Sequence, residues 1–131
     1  MIVRVYKKHL SMGQPKRNKC PLTLAFREAF GFDSKAKCDQ SVIDVSRYVL
    51  TLHNYSGLNV YSIKLPPIAE KFNEMYWNHF NSAHKFAPLP KPCEFEIGVV
   101  EYYPGYRVDV LHRVIFDIKN WFGDMEYEYP N

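Results

Sequence analysis

Apolar and polar residues alternate with a period of two in four segments of the chain. This period predicts strands at Ile2–Tyr6, within Val42–Leu52, at Val60–Leu65 and at Phe95–Val99. The polar pair Ser46-Arg47 interrupts the second segment, which therefore predicts either one bulged strand or two short ones. Strands with one apolar face are typical of a sheet that is half buried against a core.

Three further segments repeat apolar residues at helical spacing and predict helices over about 21–31, 67–81 and 109–122. Pro21 is placed to open the first helix, where its missing N–H is not needed, and Gly31 is placed to end it. The second helix is expected to start at the Pro66-Pro67 pair. Asp109 is a good N-cap for the third, which we expect to end at Gly123. The residues after Gly123 are acidic and aromatic, and we expect them to be loosely held.

Helical and strand segments do not alternate regularly, as they would in a doubly wound fold. We therefore predict an α+β fold, with a mostly antiparallel sheet of four to five strands and three helices on one face. A length of 131 residues suits a single domain. Within it, residues 1–100 are expected to form the core. Residues 101–131 are expected to form a C-terminal helical addition with an acidic, aromatic tail.

Composition is typical of a compact intracellular protein. Hydrophobic residues make up 47% and aromatic residues 16%, which argues against disorder. No apolar run approaches the roughly 18 residues of a membrane helix, so no membrane partner is expected. The three cysteines are too few and too scattered for a disulfide framework. We expect free thiols.

Spacing of the chemically active residues does not indicate an enzyme. No C-x-x-C pair, phosphate-binding glycine loop or nucleophile elbow is present, and the histidines do not stand at metal-ligand spacing near a cysteine pair. Cys20 lies at the predicted start of the first helix, where a thiol pKa can fall. A small buried hydrophobic role for Cys20 is favoured over a reactive one. We predict no metal, no cofactor and no catalytic residue.

The first nineteen residues carry several cations and no Asp or Glu. This basic set comprises Arg4, Lys7, Lys8, Lys16, Arg17 and Lys19. Such a set can contact phosphates, with Tyr6 and Tyr48 available to stack on bases, or it can be an ordinary solvated face. The pI of 8.7 is below the strongly basic range of dedicated nucleic-acid binders. Both interpretations remain open.

Tyrosine is abundant, with ten residues in the chain, and several lie in predicted turns and in the tail. The candidate binding residues are Tyr102, Tyr103, Tyr106 and Trp121. Large aromatic rings in turns are good interface anchors, because they bury much area at a small entropic cost. The alternative is that these rings cover the edge of the core.

Several motifs in the first three-quarters of the chain resemble a family of small uncharacterised phage and prophage proteins. The N-terminal strand is followed by His9-Leu10-x-x-Gly13 and by Cys20-Pro21-Leu22-Thr23-Leu24-Ala25, similar to H-I-x-x-G and C-P-I-A-L-A in that family. Further similar elements are Ile63-x-Leu65-Pro66, Phe72, Phe86-x-Pro88 and Pro92-Cys93-Glu94-Phe95-Glu96-Ile97. Arg17 stands where the family often has a second cysteine. The segment after about Val99 has no counterpart in the family.

This resemblance implies a phage accessory protein made in the host cytoplasm. By analogy with such proteins, we expect it to bind and inhibit a host macromolecule by occlusion without catalysis. The expected partner is a host protein or ribonucleoprotein, such as a CRISPR-type defence complex. One alternative is nucleic-acid binding through the basic set. Another is sequestration of a small nucleotide signal in an aromatic, basic pocket between subunits. The oligomeric state stays open, with a homodimer among the alternatives.

Overall fold

The computed structural model describes residues 1–32, 43–53, 59–81 and 86–127, with the backbone alone for 59–60 and 120–127. Helices and strands follow one another in an irregular order. The elements are β1 (Ile2–Val5), α1 (Lys7–Met12), α2 (Pro21–Phe30), β2 (Ile43–Val45), β3 (Val49–His53), β4 (Asn59–Lys64), α3 (Pro67–Phe80), β5 (Cys93–Glu96), β6 (Val100–Tyr103), β7 (Tyr106–Asp109) and α4 (Leu111–Tyr127).

All strand pairings between the described elements are antiparallel, which confirms the predicted α+β class. The strands are divided over three small sheets: β1 with β5, β2-β3-β4, and β6 with β7. In the first sheet Val3 lies opposite Phe95. In the second, Leu50 lies opposite Ile63. Helix α2 packs against β1 and β2, and helix α3 packs against β5.

The polar interruption at Ser46-Arg47 is a turn between β2 and β3, so of the two alternatives the segment forms two short strands rather than one bulged strand. The Ser46 N–H donates to the carbonyl of Val49 at 2.9 Å. The side-chain amide of Asn73 on α3 donates to the carbonyl of Ser46 at 2.8 Å. The turn is therefore held both by its own strand and by a helix.

Helix α2 begins at Pro21 and is followed by Gly31, with φ 72°, as predicted. Helix α1 was not predicted from the sequence, because it is only six residues long and His9 is its one buried residue. The prediction that α4 ends at Gly123 was wrong, since the helix continues to Tyr127. One glycine inside a helix costs only about 1 kcal/mol relative to alanine, which a helix of this length tolerates.

The segment 102–106, predicted as a turn, is the end of a hairpin rather than a loop. Only Pro104 and Gly105 lie outside β6 and β7. Pro104 at the first central position and Gly105 at the second, with φ 87°, fit a type II turn. Strands β6 and β7 were both missed, because each is only four residues long and little buried.

Helix α4 packs on the same core as the rest of the chain. Its first half contributes Leu111, Val114, Ile115 and Ile118 to the cluster that also contains Val3, Phe26, Leu50, Phe72 and Phe95. Among the described residues, no helix has the length and apolarity needed to cross a membrane.

Candidate interaction surfaces

The basic set lies along β1, α1 and the loop that follows. Lys7, Lys16 and Lys19 have no ion-pair partner within the described parts of the chain. The other three cations are each paired with a carboxylate: Arg4 Nε with Glu94 Oε2 at 3.0 Å, Lys8 Nζ with Glu28 Oε1 at 2.9 Å, and Arg17 Nε with Asp44 Oδ1 at 3.0 Å. Half of the basic set is therefore locally neutralised, which weakens its attraction for phosphate.

The hairpin of β6 and β7 carries three exposed tyrosines. Tyr102 is 78% exposed, Tyr106 61% and Tyr103 39%. The rings of Tyr103 and Tyr106 are stacked, with centroids 5.2 Å apart and planes 17° from parallel. Tyr102 lies opposite Arg107 in the adjacent cross-strand pair, so it occupies the other face of the hairpin.

Polar contacts fix this hairpin to α4. The Tyr103 hydroxyl donates to Glu101 Oε2 at 2.8 Å. Glu101 also forms an ion pair with Arg113 of α4. These two donors, first Tyr103 and then Arg113, lower the pKa of Glu101. The ion pair therefore favours one orientation of the stacked face relative to α4.

Trp121, the fourth aromatic candidate, lies in α4, with its side chain outside the described residues. The structure therefore joins Tyr102, Tyr103 and Tyr106 in one hairpin. It places the basic set on other elements. The two predicted sets therefore share no element of the fold.

His9 is a buried histidine whose two ring nitrogens are both occupied. The Tyr6 N–H donates to His9 Nδ1 at 2.9 Å. This contact leaves the proton on Nε2, which lies 2.7 Å from Glu28 Oε2. Hydrogen bonds from Lys8 and then His9 lower the pKa of Glu28. The arrangement joins α1 to α2, and neither ring nitrogen is available to take a proton from a substrate.

Neither described thiol is placed as a nucleophile. Cys20 is completely buried, and its Sγ lies 3.2 Å from Thr23 Oγ1. Burial raises its pKa. Burial also raises the pKa of Cys93 to about 11. A raised pKa leaves little thiolate at neutral pH, so both behave as small packing residues. Cys38 lies outside the described residues.

A groove of about 670 Å³ lies between the loop after α1, the β2–β3 turn and the end of α3. Sequence reasoning missed this groove, because its walls come from three distant segments. The lining residues that carry chemistry are Arg17, Arg47, Glu74, Trp77 and Asn78. The features that could have indicated the groove are the exposed Arg47 in a turn and Trp77 on a helix.

Within the described residues, no group of three or more His, Cys, Asp or Glu side chains is placed to hold a metal ion. No protein-family model, curated protein or solved structure matches this chain.

Proposed function

We propose that the protein is a binding module that covers a surface of a partner protein by means of the β6–β7 hairpin. The observation that carries this proposal is the exposed, stacked pair Tyr103 and Tyr106 at the end of a fixed two-stranded ribbon. The module performs no reaction. Its effect on the partner is occlusion of the surface that it covers.

Exposed aromatic rings supply the affinity. Tyr102 and Tyr106 are largely exposed on opposite faces of the hairpin, so a partner groove that receives the hairpin buries both. Aromatic anchors of this kind carry a large share of interface energy, typically about 2 kcal/mol or more each. The Glu101 contacts to Tyr103 and Arg113 reduce the ordering cost of binding, because the hairpin is already oriented.

Charge favours a protein partner over bare nucleic acid. Arg4, Lys8 and Arg17 each lie against a carboxylate, whereas dedicated nucleic-acid sites keep their cations available for phosphates. Following the resemblance to phage proteins, we propose a host protein or ribonucleoprotein of a defence system as the partner. Inhibition by occlusion is the proposed consequence of this binding.

The test begins with capture of the partner from host lysate, followed by measurement of its Kd with purified components. The variant Tyr102→Ala/Tyr106→Ala removes two anchors that do not pack in the core. We expect it to weaken binding by at least about tenfold, since tenfold corresponds to only about 1.4 kcal/mol. Phe86→Ala is the matched control, because Phe86 is 98% exposed and lies outside the hairpin.

Two results would count against the proposal. Equal affinity of the double tyrosine variant and the Phe86→Ala control would remove the hairpin from the interface. Failure of the folded wild-type protein to retain any stoichiometric partner would argue against binding as the function.

A further inference from the structure

The groove described above has walls that are fixed by the fold. The carbonyl of Arg17 accepts a hydrogen bond from the Val45 N–H at 3.0 Å and another from Thr23 Oγ1 at 2.6 Å. On the opposite side, Asn73 of α3 holds the carbonyl of Ser46. The backbone on which the groove residues stand is therefore set without a ligand, which lowers the ordering cost of binding one.

One wall is aromatic. Trp77 is partly buried and packs edge-on against Tyr76, with ring centroids 6.1 Å apart and planes at 78°. Phe80, one turn further along α3, is half exposed and also lines the groove. The indole of Trp77 therefore has an aromatic packing contact and also lines the groove. Such a ring is suited to stack on a flat, aromatic ligand.

The lining residues from the β2–β3 turn and the loop after α1 include two cations. Arg47 is exposed, and its Cζ lies 5.3 Å from the centre of the Tyr48 ring. No carboxylate of the described residues pairs with Arg47. Arg17 also lines the groove, although it shares its charge with Asp44. Arg47 is therefore the cation best placed to bind an anionic group, because a guanidinium binds phosphate in a bidentate manner.

The groove also contains hydrogen-bonding groups of both kinds. Glu74 supplies an acceptor, and the Asn78 side-chain amide supplies a donor and an acceptor. Glu74 makes a purely acidic ligand unsuitable, since a second carboxylate close to it would be repelled. It suits a ligand that combines one anionic end with N–H or O–H donors.

We propose that this groove binds a nucleotide, with the base stacked on Trp77 and the phosphate on Arg47. Glu74 and Asn78 then face the edge of the base or the sugar hydroxyls. A volume of about 670 Å³ falls within the range of about 300–1,000 Å³ typical of small-molecule sites. This binding is separate from the hairpin interface, since the two surfaces share no residue.

A free mononucleotide and the nucleotide at the end of a single strand present the same chemistry to the groove. The experiment therefore has two arms, one with the four ribonucleoside monophosphates and one with short single-stranded oligonucleotides. Inorganic phosphate serves as the anion control. The full chain is used in the Trp121→Phe background, so that Trp77 is the one remaining tryptophan of the two.

We expect ligand to quench the fluorescence of Trp77 and to release heat in calorimetry. Arg47→Ala is expected to weaken binding at least about tenfold, and Trp77→Phe to weaken it less than Trp77→Ala. Lys91→Ala removes an exposed cation that lies outside both the groove and the hairpin, so it is the matched control and should bind as the parent does. Thermal unfolding of each variant confirms that it is folded.

Mononucleotide binding identifies a free ligand, and binding of oligonucleotides alone identifies a strand end. No signal from any nucleotide or oligonucleotide at about 1 mM, where even a millimolar site is half occupied, would overturn the proposal. Equal affinity for inorganic phosphate, or an Arg47→Ala variant no weaker than Lys91→Ala, would overturn it as well. Neither failure affects the hairpin test, because that test changes other residues.

Discussion

The Asp109 carboxylate fills the space that a side chain on Gly98 would need. A Cβ atom on Gly98 would lie 2.5 Å from Asp109 Oδ2. The other oxygen, Oδ1, accepts hydrogen bonds from the N–H groups of Leu111 at 3.0 Å and Val99 at 3.3 Å. Asp109 therefore ties the base of the hairpin to the start of α4, and it can do so because residue 98 is a glycine.

Gly98→Ala is expected to lower the free energy of unfolding by about 1–3 kcal/mol, the usual cost of overpacking. The added methyl group would push Asp109 away from the two N–H groups that it accepts. Urea unfolding measures the change. In the Asp109→Ala background the clash is absent, so the same substitution should cost much less there. Equal costs in the two backgrounds would show that Gly98 and Asp109 are not coupled.

Gly105→Ala is expected to destabilise the hairpin locally without a steric clash. Gly105 has φ 87°, and no atom lies within 4 Å of the position of an added Cβ. A left-handed conformation costs an alanine about 1–2 kcal/mol. Hydrogen exchange should become faster for amides of β6 and β7 and stay unchanged in α2. Unchanged exchange in the hairpin would contradict this expectation.

Glu28 is expected to give the protein an acid-dependent part of its stability. Its pKa is lower in the folded protein than the usual 4.5, because Lys8 and His9 hydrogen-bond to it. A group with a lowered folded pKa stabilises the fold above its unfolded pKa and loses that contribution as the pH falls. The exposed contact with Lys8 contributes under about 1 kcal/mol.

Urea unfolding of the wild type and Glu28→Gln between about pH 6 and pH 3 tests this point. The wild type should be more stable at the upper end, and the difference should shrink as the pH falls through about 4.5. A difference that stays constant with pH would show that ionisation of Glu28 is not linked to folding.

Tyr76→Phe is expected to preserve or raise stability, although it removes a polar group from the core. The Tyr76 hydroxyl is buried and has no hydrogen-bond partner among the described residues. An unsatisfied buried hydroxyl costs about 1–3 kcal/mol. Burial raises the pKa of Tyr76 to about 12, so the wild type should also lose stability as the pH rises above about 10, where the unfolded tyrosine ionises. The phenylalanine variant should lack the part of this loss of stability at high pH that comes from Tyr76. A large loss of stability in Tyr76→Phe at neutral pH would show that the hydroxyl is bonded.

Cys20 and Cys93 are expected to react slowly with thiol reagents in the folded protein. Both pKa values are raised by burial, that of Cys93 to about 11, and the thiolate is the reactive form. The Cys38→Ser variant leaves only these two thiols. At pH 8, labelling should be slow in buffer and fast in denaturant. Rapid labelling in buffer would show that one of the thiols is open and activated.

Local signals in the sequence located most of the regular structure. Pro21 and Gly31 mark the two ends of α2, and the prolines at 66 and 67 mark the start of α3. Asp109 was expected to be the N-cap of the third helix, but α4 begins at Leu111, so Val110 takes that position. Asp109 lies one residue earlier, and its carboxylate accepts the Leu111 N–H. These features act within one turn of helix, so they can be recognised without knowledge of the fold.

The surfaces depend on contacts between distant residues, which explains why they were predicted poorly. Arg4 and Glu94 are 90 residues apart, so the neutralisation of the basic set is not visible in the N-terminal segment. The groove likewise joins Arg17, Arg47 and Trp77. The hairpin tyrosines were found because they are close in sequence. The stacking of Tyr103 on Tyr106 was not predicted, because it depends on the register of β6 and β7.

The pairing of β1 with β5 constrains the order in which the chain can fold. Val3 lies opposite Phe95, so the first sheet cannot form until about three-quarters of the chain has left the ribosome. The β2–β3–β4 meander closes shorter loops and can form earlier. Throughout this interval β1, which has an apolar face, lacks the strand β5 with which it pairs. We expect β1 to be the segment most exposed to aggregation during synthesis, and its docking to be a late step of folding.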